Sequence, residues 1–310
     1  MDFISDAEQQ ASLAFVRKQL SAIELAVYKT VYPEFQYAQL IPVDTSAPEW
    51  TRTVQYFSSD EIGAAGWING NSDDIPTADV TRAVHETGVE MAAAGYVYGW
   101  AEVEQARVLG IALESEKAAA ARRAHERFVD RVAMHGDATK RYSGLLDYPG
   151  VTAASATTGD WANPATTEDQ ILADINTGIL GIATDTLYTG MGDTLLLPYD
   201  KLNLLATKRL GDTQQTLLGF LTANNTYTAM TGQPLTIRAV RGLETAGASN
   251  GTRMVIYRRS PEVLKMHMPM PFRFLPVHRT GAMNFAVPGV WRFGGVDVRL
   301  KKEVRYVDGI

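Results

Sequence analysis

Hydrophobic and polar positions follow two rhythms along this chain, and each change of rhythm marks an element. Leu13, Val16, Leu20, Ile23 and Val27 recur every three or four residues, which predicts a helix over 4–28, closed by Pro33. Residues 35–43 read as extended, ending at Pro42. From Thr51 the period shortens to two: Arg52, Val54 and Tyr56 alternate with Thr53, Gln55 and Phe57, the pattern of a strand. Turn formers follow (Gly63, Gly66, Asn69-Gly70, Asn71, Ser72, Asp73, Asp74 and Pro76), and a second extended stretch runs from about Val80 to Met91. Two strands of about 12 residues, rising about 3.3 Å per residue, make an arm about 40 Å long. A compact chain of 310 residues has a radius of gyration of only about 19 Å, so the arm is expected to project.

The helical rhythm returns over 100–135. The run ALESEKAAAARRAHERFVDRVAMH is rich in good helix formers, and a helix over 113–134 would be about 33 Å long. Leu113, Ala120, Ala121, Ala124, Phe128 and Val132 can share one face, Arg122–Glu126 is an i,i+4 pair, and Gly136 suits the C′ position. Thr167-Glu168-Asp169-Gln170 opens a further helix as a capping box, with Ile171, Ile175, Ile179 and Ile182 as its apolar stripe. LLLP at 195–198 reads as a short buried strand, followed by helical segments near 199–207 and 213–223. PLTIRAV (234–240) and RMVIYRR (253–259) read as strands, and 265–310 as short strands punctuated by prolines and Gly294-Gly295. The expected fold class is α+β.

Composition narrows this. With 45% hydrophobic and 21% charged residues the chain is globular rather than disordered. The absence of cysteine removes disulfides, thiol nucleophiles and cysteine-based zinc sites. No run of about 18 apolar residues predicts a membrane span, and the N-terminus lacks a secretory pattern. The net charge of -6 is unevenly divided. Residues 1–80 carry 4 basic and 12 acidic side chains, 81–250 carry 14 and 19, and 251–310 carry 11 and 4. An acidic start and a basic end can attract each other within one chain or between copies; the plainer reading is a mixed solvated surface.

Recognisable catalytic chemistry is missing. There is no Walker A sequence, dinucleotide glycine fingerprint, HExxH or GxSxG element. His85, His125, His135, His267 and His278 show no chelating spacing and read as surface or structural residues. Asn69, Asn71 and Asp73 imitate the start of a calcium loop, but Asp74 stands where glycine is required and Val80 where glutamate is. No metal, cofactor or catalytic residue is therefore expected. Lys117, Arg122, Arg123 and Arg127 make a basic helix surface without interleaved aromatics, more a solvated face than a contact for DNA phosphates.

The order of elements (arm, long hairpin, long Ala- and Arg-rich helix, mixed insert, C-terminal strands) resembles the major capsid proteins of tailed bacteriophages, whose fold encapsulin shells share. The segments that carry the resemblance are EKAAAARRAHERFVDRVAMHGD, GLLDYPGV (144–151), TTEDQILADI (166–175), LLLPYDKLNLLAT (195–207), TQQTLLGFL (213–221), RRSPEVLKMHMPMPFRFLPV and FAVPGVWRFGGVDVRLKKEVRYVDGI. None is diagnostic alone; their order and spacing together are. The resemblance implies an N-terminal arm at 1–50, an extended loop at 51–91 lying over a neighbouring subunit, a peripheral domain from 92–165 and 255–310 with a spine helix at 113–134, and an axial domain at 166–254. It implies self-assembly into pentamers and hexamers that form an icosahedral shell around double-stranded DNA. Scaffold, portal and decoration proteins would be further partners, the membrane none, and assembly would take place in the host cytoplasm. Intersubunit contacts are expected to involve Arg52, Asp60, Glu61, Trp67, Asp73 and Asp74 on the arm and Arg292, Arg299, Lys301 and Lys302 of an adjacent copy. Some related shells cross-link through a lysine on the extended loop; here no lysine lies between Lys29 and Lys117, so no such link is expected. Little length precedes residue 51 for a fused scaffolding segment.

Two alternatives stay open at this level. One is an encapsulin-like nanocompartment with an enzyme cargo. The other is a soluble α/β enzyme or ligand-binding protein using carboxylates near Asp169, Asp174 and Asp185.

Overall fold

Two hydrophobic cores share a single sheet, and the rest of the chain is arranged about them. A computed structural model describes residues 35–63, 65, 67, 77–102, 104 and 113–310. The helix expected over 4–28 and most of the turn at 63–76, with Asp73 and Asp74, lie outside the described residues. Residues Phe35–Ile310 cluster as one unit.

Where an extended run was expected over 35–43, the chain makes one helical turn, α1 (Tyr37–Leu40), and then a short strand, β1 (Val43–Asp44). The turn forms because a distant residue caps it: Asp130 Oδ1 accepts the backbone N–H groups of Gln36 (3.0 Å) and Tyr37 (3.1 Å). Strands β2 (Thr53–Ile62) and β3 (Asp79–Gly88) pair antiparallel in one unbroken register, from Thr53↔Gly88 to Ile62↔Asp79. Strands β4 (Glu90–Ala93) and β5 (Tyr96–Gly99) follow.

The long helix α2 spans Leu113–His135. Its buried face is Ala121, His125, Val129, Val132 and Ala133, with Phe128 half-buried. Ala120 and Ala124, expected on that face, are exposed. The helix is thus rotated by about one residue, because the aromatic rings of Phe272 and Trp291 take in His125 and Phe128. It stops at Gly136, where φ is 77° and a Cβ would lie 2.3 Å from the Tyr142 carbonyl oxygen, so only glycine fits. Three short strands follow, β6 (Gly136–Asp137), β7 (Tyr142–Ser143) and β8 (Thr152–Ser155).

Helix α3 (Glu168–Asp185) begins with the expected capping box: Gln170 N–H donates to Thr167 Oγ1 (3.4 Å) and Thr167 N–H to Gln170 Oε1 (2.9 Å). Ile171, Ile175, Ile179 and Ile182 are all fully buried. Gly178 lets the helix approach the sheet, since a Cβ there would lie 2.5 Å from Ile256 Cδ1. Then come β9 (Thr194–Leu197), α4 (Tyr199–Thr207), α5 (Leu217–Ala223), α6 (Thr226–Thr231), β10 (Thr236–Ala239) and β11 (Arg253–Tyr257). The C-terminal strands are β12 (Leu264–His267), β13 (Met270–Phe274), β14 (His278–Arg279), β15 (Asn284–Val287), β16 (Gly289–Phe293), β17 (Val296–Val298) and β18 (Val304–Asp308).

The central sheet has the order β10-β9-β11-β18-β8. Alternate residues enter opposite cores, as the two-residue period of a strand requires. Leu195, Leu197, Met254, Ile256 and Val307 pack with the α3 isoleucines. Leu196, Val255, Tyr257, Val304 and Tyr306 pack with Val129 and Val132 of α2. With both faces covered, β9 and β11 read as unbroken apolar runs. Three smaller sheets (β1-β12-β17, β13-β16-β4 and β14-β15-β5) border the α2 side or extend from it.

Candidate functional site

The β2–β3 hairpin is the feature whose sequence makes least sense in a lone chain. Phe57 is 70% exposed and Val84, directly opposite, 59%. Ile62, Trp67 and Val80 are exposed as well. Asp60 and Glu61 lie exposed near the far end of β2. A two-stranded ribbon with large apolar side chains in water is marginal alone, and such surface marks a binding site.

The root of the hairpin is fastened to the body by residues that sequence reasoning assigned to a neighbour. Arg292 is buried; its guanidinium donates to the carbonyls of Glu49 (3.1 Å) and Val89 (3.0 Å) and lies 5.8 Å from the Trp50 ring. Arg299 sits 4.6 Å from the Tyr56 ring and donates to Asp297 (3.3 Å). Tyr56 also stacks on His85 at 4.7 Å. Burial, with Asp297 adding to it, pushes the Tyr56 hydroxyl up to about 12. The Arg52 carbonyl accepts Val89 N–H (2.7 Å), closing the ribbon, while its side chain is exposed. Arg292 therefore holds the root and Arg299 the ribbon just above it, while Asp60 and Glu61 lie near the far end of the paired strands. Lys301 and Lys302 are exposed on a separate turn, with Lys301 5.7 Å from the Tyr148 ring.

The basic residues of α2 are engaged within the chain. Lys117 pairs with Glu102 (2.6 Å) and donates to the Val97 carbonyl (2.9 Å), and Arg122 lies over Phe274. Arg123 and Arg127 have partners too.

Two histidines are buried structural groups. The His125 ring packs 4.9 Å from Phe272 and 4.7 Å from Trp291, and burial holds its pKa below the ordinary value, partly opposed by Glu126. His267 lies between Asp44 (3.8 Å) and Asp297 (3.7 Å), joining β1, β12 and β17. Burial disfavours the charged form of Asp44, but hydrogen bonds from Ser46 and Lys265 outweigh it and hold the carboxyl well below the usual range. Among the described residues no three His, Asp or Glu side chains converge as a metal site.

Two of the three carboxylates of the enzyme alternative, Asp174 and Asp185, are structural as well. Asp169 is exposed. Asp174 is buried and accepts from the N–H groups of Thr157 (3.2 Å) and Thr158 (3.4 Å) and from Trp161 Nε1 (3.0 Å), tying a loop to α3. Asp185 pairs with Arg305 at 2.8 Å.

Sequence reasoning missed a second exposed surface, on the β14-β15-β5 sheet, where every residue from Leu275 to Asn284 is exposed. The available signal was charge: no Asp or Glu occurs from Val263 to Val296.

Comparison with known proteins bears on the whole arrangement. The sequence profile of a family described as "Major capsid protein" matches residues 63–310. No curated protein sequence matches the chain. Among solved structures, the capsid of Myoviridae phage XM1 aligns with a TM-score of 0.80 at 16% identity, over 94% of this chain and 98% of that one. The capsid of a native GTA particle aligns at 0.64 and 10% identity, over 96% and 98%. A chain of Mycobacterium phage Bobi aligns at 0.62 and 16%, over 99% of both. At such identities the likeness is one of fold, and it is the α+β fold the order of elements led one to expect.

Proposed function

The chain belongs to the major capsid protein family, and from that premise we propose that its copies assemble as pentamers and hexamers into the icosahedral head shell of a tailed bacteriophage, around double-stranded DNA. The observation that carries the reading is the β2–β3 hairpin, which holds large apolar side chains in water beyond either core. A subunit that tiles a closed shell needs such arms, because many modest contacts with neighbours add into a stable assembly.

The layout implied by the family accompanies this reading: arm 1–50, extended loop 51–91, peripheral domain 92–165 and 255–310, axial domain 166–254. Asp60, Glu61 and Trp67 carry the extended loop's side of the intersubunit contact. Of the basic residues first set against them, Arg292 and Arg299 hold the hairpin's own root, while Lys301 and Lys302 are exposed. The net charge of -6 accords with a shell that holds its DNA weakly and without sequence preference, which suits packing and release. Scaffold, portal and decoration proteins are the expected further partners, with assembly in the host cytoplasm before incorporation into the virion. The family match supports neither the nanocompartment nor the enzyme alternative.

Negative-stain microscopy of the purified protein tests the reading. Uniform hollow particles or capsomer rings are expected; a monodisperse monomer under all assembly conditions counts against it.

A further inference from the structure

The β14-β15-β5 sheet carries large apolar side chains that neither core takes in. Trp100, Val277 and Met283 are 53–55% exposed and Leu275 38%. The register brings the Arg279 face together: Phe285 lies opposite both Arg279 and Tyr98, its ring stacked on Tyr98 at 5.7 Å, and Trp100 N–H donates to the Met283 carbonyl (2.8 Å). The charge of this surface is one-sided. Residues 91–101 carry no charge at all, and no acid occurs from Val263 to Val296. The Arg279 guanidinium donates to the carbonyls of Gly281 (3.0 Å) and Ala282, and no carboxylate neutralises it among the described residues.

The hairpin presents the complement. Its root turns Tyr56 toward Arg299. The opposite face sets Phe57 against Val84, Glu61 against Val80 and Gln55 against Glu86, with Arg82 as its one cation. This is an apolar centre flanked by two carboxylates. We propose that this face docks on the β14-β15-β5 sheet of a second copy, apolar on apolar, with Glu61 facing Arg279. The inference rests on the assembly reading above. The Lys301–Lys302 turn is the poorer receiver: beside its charges it offers only Leu300, 43% exposed, to an arm carrying three exposed apolar side chains on this face. Interfaces of this kind join an apolar centre to a charged rim that sets partner and register.

Because the chain contains no cysteine, engineered thiols report the contact without background. The variants are Glu61→Cys with Arg279→Cys, each single substitution, and Glu61→Cys with Lys302→Cys, assembled into particles, oxidised and run on a non-reducing denaturing gel. The 61/279 pair is expected to give a ladder of covalent multimers that reductant removes, while singles and the 61/302 pair remain monomeric. No ladder from intact 61/279 particles overturns the proposal. So does a ladder from the 61/302 pair, or from Arg279→Cys alone, which would mean that this sheet meets its own copy. A charge swap gives an independent reading. Glu61→Arg or Arg279→Glu alone should cut particle yield about tenfold or more, and the double variant should restore it; failure of rescue also overturns the proposal. If the unmodified protein forms neither particles nor rings, it is the assembly reading that fails.

Discussion

A neutral ring is the form His125 must keep. It packs against Phe272 and Trp291, its Nε2 has no hydrogen-bond partner among the described residues, and burial lowers its pKa. The unfolded chain takes up a proton near pH 6.5, the folded chain only at lower pH. This contribution to stability is therefore whole above about pH 6.5 and is lost as pH falls below it. His125→Phe, which keeps an aromatic ring in the site, should flatten the dependence: between pH 7 and pH 5 the urea midpoint of the parent falls further than that of the variant. Equal falls would assign the acid sensitivity elsewhere. Sequence spacing gave no sign of this residue, because helical periodicity places a histidine by its polar rank and not by the rings that meet it from 140 or more positions away. Arg292 was unreadable for a related reason. Its partners are backbone carbonyls, which leave no complementary side chain in the sequence to find.

Elements were legible where their signals are local. The capping box at Thr167 and the isoleucine stripe behind it belong to α3 alone, and both stand as written. Thr167→Ala should lower stability by about 1 kcal/mol in denaturant unfolding, since the Gln170 N–H loses its acceptor at the helix start. A loss near zero would mean that water replaces the cap fully. The two hairpin strands were legible from alternation. By contrast α1 exists through Asp130, and β8 through parallel pairing with β18 some 150 residues later; TAAS has little strand character of its own. The face of α2 was misplaced by about one residue because alanine is equally at home on either side of a helix, so the rings of the C-terminal strands decide.

In the whole molecule, folding and assembly draw on different surfaces. Both cores lie off the hairpin, whose strands bond to each other along their full length. Replacing residues 57–84 by a short turn should leave the melting temperature within about 4 °C of the parent, because the described side chains it removes are all exposed. The same variant should form no particles by microscopy; normal particles would show that the arm is dispensable. The central sheet bears on the opposite matter, what happens when the subunit is loaded. Each of its inner strands sends alternate side chains into two cores, so neither core can give way without dragging on the other. No plane of easy slip runs between them. A subunit built in this way yields to force as a single body, and changes in the curvature of a wall made from it must be absorbed at the seams between copies.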